Sequence, residues 1–535
     1  MSSPSTSRIL WASLGVFLLA LAVRWPHLSQ GLWFDEMVTL VDYVLQPWQH
    51  VVAAQPGDYV PNNHVLHTVL AKLTYSLGPH NENGGTGPNE PLLRVPALLA
   101  SCLLPIALAW PLRKSRPIIA LVIALLAAMH PWLVAFGTEA RGYSMMLLFG
   151  VIATNLLPDG QRGRWPIGYA LALAAAIYTL PIAVLLIVAH GVAAVLRLPL
   201  RSDPSTQQGR DRGFGIWLRG AIMAVVLSAL LYAPMARAMM QYFRNPFEPT
   251  ISYREFLDHL PRYALAGERL PRHPGPAPTV DPPAASVYWA LPVLAIVIGS
   301  IFAWPIEPLR PLLVTLGVTS VCGIVLAGVR PAACEVRFVA WAGLWLIVAV
   351  TAILVSPTQR WAKSVAVGAM ALQLVWMGMR DVQMPPNEPV REAMARADAL
   401  APPDHAIVIG SLGAREAAYL YGYEIAHHDM TTGHNMPLLL AAEQRVIDAT
   451  GHKPWIVMLY EDLARRRDRR DQQDIRGMWT HLMKNYYLKQ RLPGRVAPVA
   501  IYAPRETRAD VAAAPNQPLA ASQTNHAAMA ESVKR

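Results

Sequence analysis

Residues 117–136 read PIIALVIALLAAMHPWLVAF, twenty positions without an Asp, Glu, Lys or Arg. At ~1.5 Å per residue, a helix of that length spans the ~30 Å hydrocarbon core of a bilayer. Charge brackets the run, with Arg113, Lys114 and Arg116 before it and Glu139 and Arg141 after it. Working outward, similar apolar runs stand at 9–23, 92–110, 143–157, 167–178, 180–196, 216–234, 286–304, 311–329, 338–355 and 361–379, about eleven expected spans in all. Composition agrees: 53% of residues are hydrophobic and 15% charged, which excludes the ordinary soluble class.

An odd number of spans puts the termini on opposite sides, and the excess of Lys and Arg in cytoplasmic loops chooses between them. Arg8, the Arg113–Lys114–Arg116 cluster, Arg162 with Arg164, Arg197 to Arg212, and Arg360 with Lys363 all fall on one side if the N-terminus is cytoplasmic. The expected setting is therefore a bacterial inner membrane, with the first loop, 24–91, extracytoplasmic. Residues 9–20 also have the look of a signal-peptide core, but ten further spans favour an uncleaved anchor. The net charge of +11 is accounted for by loop arginines and calls for no nucleic acid. Cys102, Cys322 and Cys334 form no CxxC motif and suggest no bridge.

The expected fold is an α-helical polytopic membrane protein over residues 1–380, followed by a small α/β extracytoplasmic domain at 381–508 and a disordered tail at 509–535. The first loop holds amphipathic stretches at 39–52 and 64–77, suited to helices lying in the membrane interface. A second long outer loop, 235–285, carries Tyr242, Arg244, Tyr253, Arg254 and Arg262. In the soluble part, 406–410, 454–460 and 496–502 read as strands, and 415–421 and 461–476 as helices.

Chemistry concentrates at two places. The string GLWFDEMVTL at 31–40 sets Asp35 and Glu36 beside Trp33 and Phe34, just beyond the first span. Partial desolvation there raises a carboxyl pKa toward general-base values; the structural alternative is a helix start at the water boundary. Adjacent residues do not share a helix face, so the two acids are expected to have different jobs. The string GTEARGYS at 137–144 brings Glu139, Arg141 and Tyr143 to the same side. Arginine's planar fork suits a phosphate, the alternative being a plain Glu139–Arg141 ion pair. His64 and His67, three apart on an expected helix, are either interfacial hydrogen-bonding groups or, with an acid such as Asp35, a site for a divalent metal.

GLWFDEMVTL, then PNNHVLHTVLAKLTYSLG (61–78), NEPLLRVPALLAS (89–101) and HPWLVAFGTEARGYSMMLL (130–148), in that order and spacing, resemble the membrane glycosyltransferases of the C superfamily, GT-C. They are most similar to the family 39-like group of protein O-mannosyltransferases and aminoarabinose transferases. The resemblance covers the first 150 residues or so; beyond them only the hydropathy pattern continues. It implies a polyprenyl-phosphate sugar as donor, transfer on the extracytoplasmic side, and a glycan, lipid or protein as acceptor. It further implies that Asp35 is the catalytic base or acceptor-orienting acid, that Glu139 belongs to the catalytic pair, and that Arg141 holds the donor phosphate. Arg337, in EVRF at 335–338, matches a late phosphate-binding element. Glu36, His64, His67 and Tyr143 are expected in support. Where many relatives carry Pro-Pro-Leu, this chain has NNHVLH at 62–67, which leaves the sugar and acceptor open. The rival reading is a polytopic transporter or lipid flippase, which would place ionisable groups near mid-membrane.

Overall fold

The computed structural model describes residues 6–53, 63–78, 88–157, 167–196, 207–244, 253–266, 283–330, 336–355, 364, 368, 371–379, 386–410, 414–421, 428–432, 436–459, 472–494 and 498–505. Cys334, Glu335, the tail at 509–535, residues 461–471 of the charged helix expected at 461–476 and much of the second outer loop lie outside them. Helices occupy the first ten expected spans: α1 Thr6–Arg24, α5 Glu90–Ala109, α6 Pro117–Met129 with α7 Pro131–Gly137, α8 Tyr143–Asn155, α9 Ile167–Thr179, α10 Leu185–Val195, α11 Gln207–Tyr232, α14 Pro283–Ala303, α15 Arg310–Val329 and α16 Trp341–Val355. The first loop carries α2 Phe34–Thr39, α3 Trp48–Ala53 and α4 Val65–Tyr75, and the second α12 Ala236–Arg244 and α13 Tyr253–Ala266.

Among the described residues, four helical stretches are long and apolar enough to cross a membrane, or five when α6 and α7 count as one bent span; several others are shorter apolar helices. Outward-facing side chains on these helices are large and apolar, including Leu14 and Leu18 on α1, Val225 and Leu230 on α11, and Val321 and Val325 on α15. A surface of this kind is stable against lipid and costly against water. The protein is a multi-pass membrane protein.

The run that opened the sequence reading does not form one straight helix. It breaks at His130 and bends by 62° between α6 and α7. Pro131 forces the residue before it out of the helical region, and His130 has φ −65° and ψ 122°. Ala128 O, a carbonyl freed by the break, is met inside the protein. Arg24, fully buried at the end of α1, donates from Nη1 to Ala128 O at 2.8 Å and from Nε to Ser101 Oγ at 2.6 Å, and Ser101 Oγ donates to Leu133 O at 2.9 Å.

In the C-terminal part, helices α17 Val390–Leu400, α18 Ala414–Tyr421, α19 Met436–Thr450 and α20 Gln472–Asn485 accompany a five-stranded sheet of order β2-β1-β3-β5-β4. The strands are β1 Ile407–Gly410, β2 His428–Thr432, β3 Trp455–Met458, β4 Tyr486–Leu492 and β5 Val499–Pro504. β1 is parallel to β2 and β3, while β5 is antiparallel to β3 and β4. The sequence shows β1, β3 and β5 because they are covered on both faces and therefore read as unbroken apolar runs. Alternate residues point to opposite sides. Val408, Ile456 and Tyr502 pack with Leu439 and Leu482, whereas Ile407, Val457 and Ile501 share a core with Leu32, Met37, Leu40 and Ala140. One face of the sheet thus backs the first loop.

Candidate functional site

Asp35 and Glu36 lie in the first turn of α2, both buried, and their partners differ. Glu36 is bound on every side. Its Oε1 accepts from Arg94 Nε at 2.8 Å and from the Ala140 N–H at 2.6 Å, and its Oε2 accepts from Arg94 Nη2 at 2.7 Å and from the Trp33 N–H at 3.4 Å. That last contact is half of a capping box, fixing where α2 begins. Arg94, on α5, spends its remaining donor capacity on the carbonyls of Leu28 at 2.8 Å and Gln30 at 2.6 Å. Glu36 and Arg94 therefore tie three segments together: the end of the first span, the start of α5, and the turn at 138–142 that follows the bent helix.

Asp35 faces the other way. Its Oδ2 lies 2.7 Å from Arg141 Nη1 and 2.8 Å from Arg337 Nη1. Two guanidinium groups on one carboxylate leave the trio at net +1. Arg141 is enclosed, its side chain 2% exposed, whereas that of Arg337, on the 3-10 turn Val336–Val339, is 19% exposed and forms the open side of the cluster. The Tyr143 ring sits under both cations, its centroid 5.6 Å from the Arg141 guanidinium carbon and 5.9 Å from that of Arg337. Tyr143 is itself stacked on Phe136 at 4.6 Å and meets His64 edge-on at 5.0 Å.

His64 is buried and held against the same turn. The Gly142 N–H donates to its Nδ1 at 2.7 Å, so the neutral ring carries its proton on Nε2. That Nε2 lies 3.4 Å from Arg141 Nη2. Two donors thus converge where only an acceptor would satisfy both. Burial, reinforced by Arg141, His67 and Arg337, holds the His64 pKa well below that of a free imidazole. Gly142 permits the approach: a Cβ there would lie 2.5 Å from Thr179 Cγ2 and 3.0 Å from His64 Cβ.

The sequence-derived residues divide accordingly. Asp35, Arg141, Arg337, His64 and Tyr143 converge. Glu139 Oε1 accepts from Asn387 Nδ2 at 3.0 Å. His67 is fully buried, and neither ring nitrogen has a hydrogen-bond partner. Burial and then the Arg141 charge lower its pKa to about 3. Among the described residues no group of three or more His, Cys, Asp and Glu side chains could hold a metal ion. His64 Nδ1 is taken by the Gly142 N–H.

Arg94, Asn387, Glu388 and Tyr421 were not singled out from sequence. Glu388 Oε2 accepts from the Phe34 N–H at 3.3 Å, and Tyr421 OH accepts from the Leu32 N–H at 2.8 Å. One signal was present: Pro-Asn-Glu-Pro occurs at 88–91 and again at 386–389, each time just at a helix start. No family model matches the chain, and no curated protein matches it. Among solved structures the chain is similar to the crystal structure of ArnT from Cupriavidus metallidurans in the apo state, at 14% identity and a TM-score of 0.42, with 93% of this chain and 98% of that chain covered.

Proposed function

We propose that the protein is a membrane glycosyltransferase that moves a sugar from a polyprenyl-phosphate donor to an acceptor hydroxyl of a cell-envelope glycan, lipid or protein on the extracytoplasmic face. The observation that carries this reading is the Asp35 carboxylate held between Arg141 and Arg337. A donor phosphate competes with Asp35 for the two guanidinium groups, and Arg337 is the more accessible of them. Phosphate binding therefore neutralises the leaving group and at the same time frees Asp35 from its ion pairs. The acceptor oxygen attacks the anomeric carbon and gives its proton to Asp35, while the bond from that carbon to the phosphate oxygen breaks and its electron pair stays on the phosphate. A single base without a covalent intermediate inverts the anomeric centre. His64 Nε2–H adds a neutral donor beside Arg141, and Tyr143 keeps water from beneath the cations. Glu36 and Arg94 position the turn and touch no substrate.

The test is transfer from a radiolabelled polyprenyl-phosphate sugar by purified Asp35→Asn, Arg141→Ala and Arg337→Gln proteins, each checked for monodispersity and thermal midpoint. Loss of a general base lowers turnover by about 10²–10⁴-fold, and loss of a charge-stabilising donor by about 10²–10³-fold. Full turnover in a folded Asp35→Asn protein removes Asp35 from the mechanism. Solute uptake by wild-type proteoliposomes without glycosyl transfer favours a transporter instead.

A further inference from the structure

A cleft lies at the opposite end of the helices that carry the candidate site. It is enclosed by the first turns of α1 (Arg8, Ala12, Val16), the end of α5 with the residues after it (Ile106, Trp110, Arg113), and the start of α6 (Pro117, Leu121, Ala124), with a volume of about 250 Å³. Asp35, Glu36 and Arg94 follow α1 or begin α5, and Arg141 follows α7, so this cleft belongs to the other membrane surface. From Arg8 to Val16 it runs ~12 Å along α1, at ~1.5 Å per residue. Its walls are apolar except for Ser13 and the two arginines. Arg113 is fixed at the mouth: its guanidinium carbon stacks 3.7 Å from the centroid of the Trp110 ring, and its Nη1 donates to Trp110 O at 2.7 Å. Lys114 and Arg116 stand exposed beside it.

We propose that this cleft binds one acyl chain of an anionic glycerophospholipid, with Arg8 and Arg113 taking the headgroup phosphate. Charge complementarity selects the occupant. A slot with an apolar floor and a cationic rim, set between helices at a membrane surface, matches a molecule that is hydrocarbon below and phosphate above. A sugar or a peptide would leave its polar groups unmet along walls of Ile, Leu, Val and Ala. The indole of Trp110 sits where interfacial aromatic side chains anchor at the headgroup level. The bound lipid wedges α1 against α5 and α6 at the end remote from the candidate site, a surface on which α1 is otherwise little covered.

The experiment uses the full chain, purified and delipidated in detergent, titrated with dioleoylphosphatidylglycerol or dioleoylphosphatidylcholine and read by native mass spectrometry and thermal midpoint. Each surface arginine contributes about a fivefold preference for the anionic lipid, roughly 30-fold for the pair. Arg8→Gln, on an exposed turn, removes about fivefold of that preference, and the Arg8→Gln/Arg113→Gln protein removes nearly all of it. Ala12→Trp fills the slot and abolishes retention of both lipids, while Lys114→Gln, outside the slot, leaves the preference intact. Equal half-saturation by the two lipids in the wild type overturns the proposal. So does a preference that survives in Arg8→Gln/Arg113→Gln, or a lipid retained by Ala12→Trp. Displacement of phosphatidylglycerol by equimolar polyprenyl phosphate would assign the cleft to the donor instead.

Discussion

Asp35 and Glu36 are neighbours of the same chemistry with opposite situations. Glu36 accepts four hydrogen bonds inside the protein, two of them from the Arg94 fork. Removing one partner of a buried, saturated ion pair strands the other, at a cost of about 3–5 kcal/mol. Glu36→Gln is therefore expected to lower the denaturation midpoint sharply, or to abolish folding, as read by fluorescence-detected size exclusion. Arg94→Gln should do the same, and the double change should cost less than the sum of the two. His67 gives the opposite sign. Its imidazole is buried without a partner, so His67→Leu removes an unsatisfied polar group and should raise stability by about 1–3 kcal/mol. It should also flatten the acid limb. Because the folded protein holds this ring neutral down to about pH 3 while the unfolded chain protonates near 6.5, the unfolded state binds more protons between those values. Stability is then full above 6.5 and falls on acidification by about 1.4 kcal/mol per pH unit. Midpoints measured at pH 7 and pH 5 should differ less in His67→Leu than in the wild type.

The bent pair α6–α7 decides where the Glu139–Tyr143 turn lands. Arg24 supplies the donor that the broken helix needs at Ala128 O and holds Ser101, whose hydroxyl donates to Leu133 O, in an interior where water is excluded. Arg24→Met leaves Ala128 O unmet and Ser101 without its donor, at a cost of about 2 kcal/mol or more, and lets the turn drift. A shift of ~1 Å at a reacting centre lowers turnover by about 10²-fold, so transfer should fall further than stability does. Much of this level could be read from sequence. The apolar runs placed the helices, since period and length suffice to mark a span, and β1, β3 and β5 were legible as short apolar runs. The break at His130–Pro131 was also written there, in a proline whose effect on its neighbour was not weighed against the length of the run. Strands β2 and β4 were not legible, because HDMTT and YYLKQRL lack the unbroken apolar character of a strand covered on both faces. The candidate site was legible as a set of residue types in two strings. The partners were not: Asp35 stands about a hundred residues from Arg141 in the chain, and only tertiary packing decides that Arg141 meets Asp35 and that Glu139 meets Asn387.

At the scale of the molecule, the sheet and α17 act as a cover over the first loop. Leu32, Met37 and Leu40 from that loop, Ala140 from the turn at 138–142, and Val390, Met394, Ile407 and Ile501 from the C-terminal part belong to one buried cluster. Polar ties run along its edge: Tyr421 OH to the Leu32 N–H, Glu388 to the Phe34 N–H, and Arg391 to Glu90 at 2.9 Å. The exposed Arg415–Asp42 pair at 2.7 Å is worth at most about 1 kcal/mol. Apolar burial therefore supplies most of the hold, at ~25 cal/mol per Å² removed from water. Because the hold is noncovalent and distributed, the connection near residue 380 should be dispensable while the contact is not. Co-expressed as two chains, 1–380 and 381–535, the halves should co-purify through detergent and retain transfer. The first half alone should lose it, since the Leu32 and Phe34 N–H groups would lack the acceptors that seat α2 and with it Asp35. A Leu32→Asp change, which puts a charge into the shared core, should separate the two chains, whereas Arg415→Ala should leave them together. Transfer by residues 1–380 alone at the full-length rate would show that the sheet plays no part in holding the acid in place.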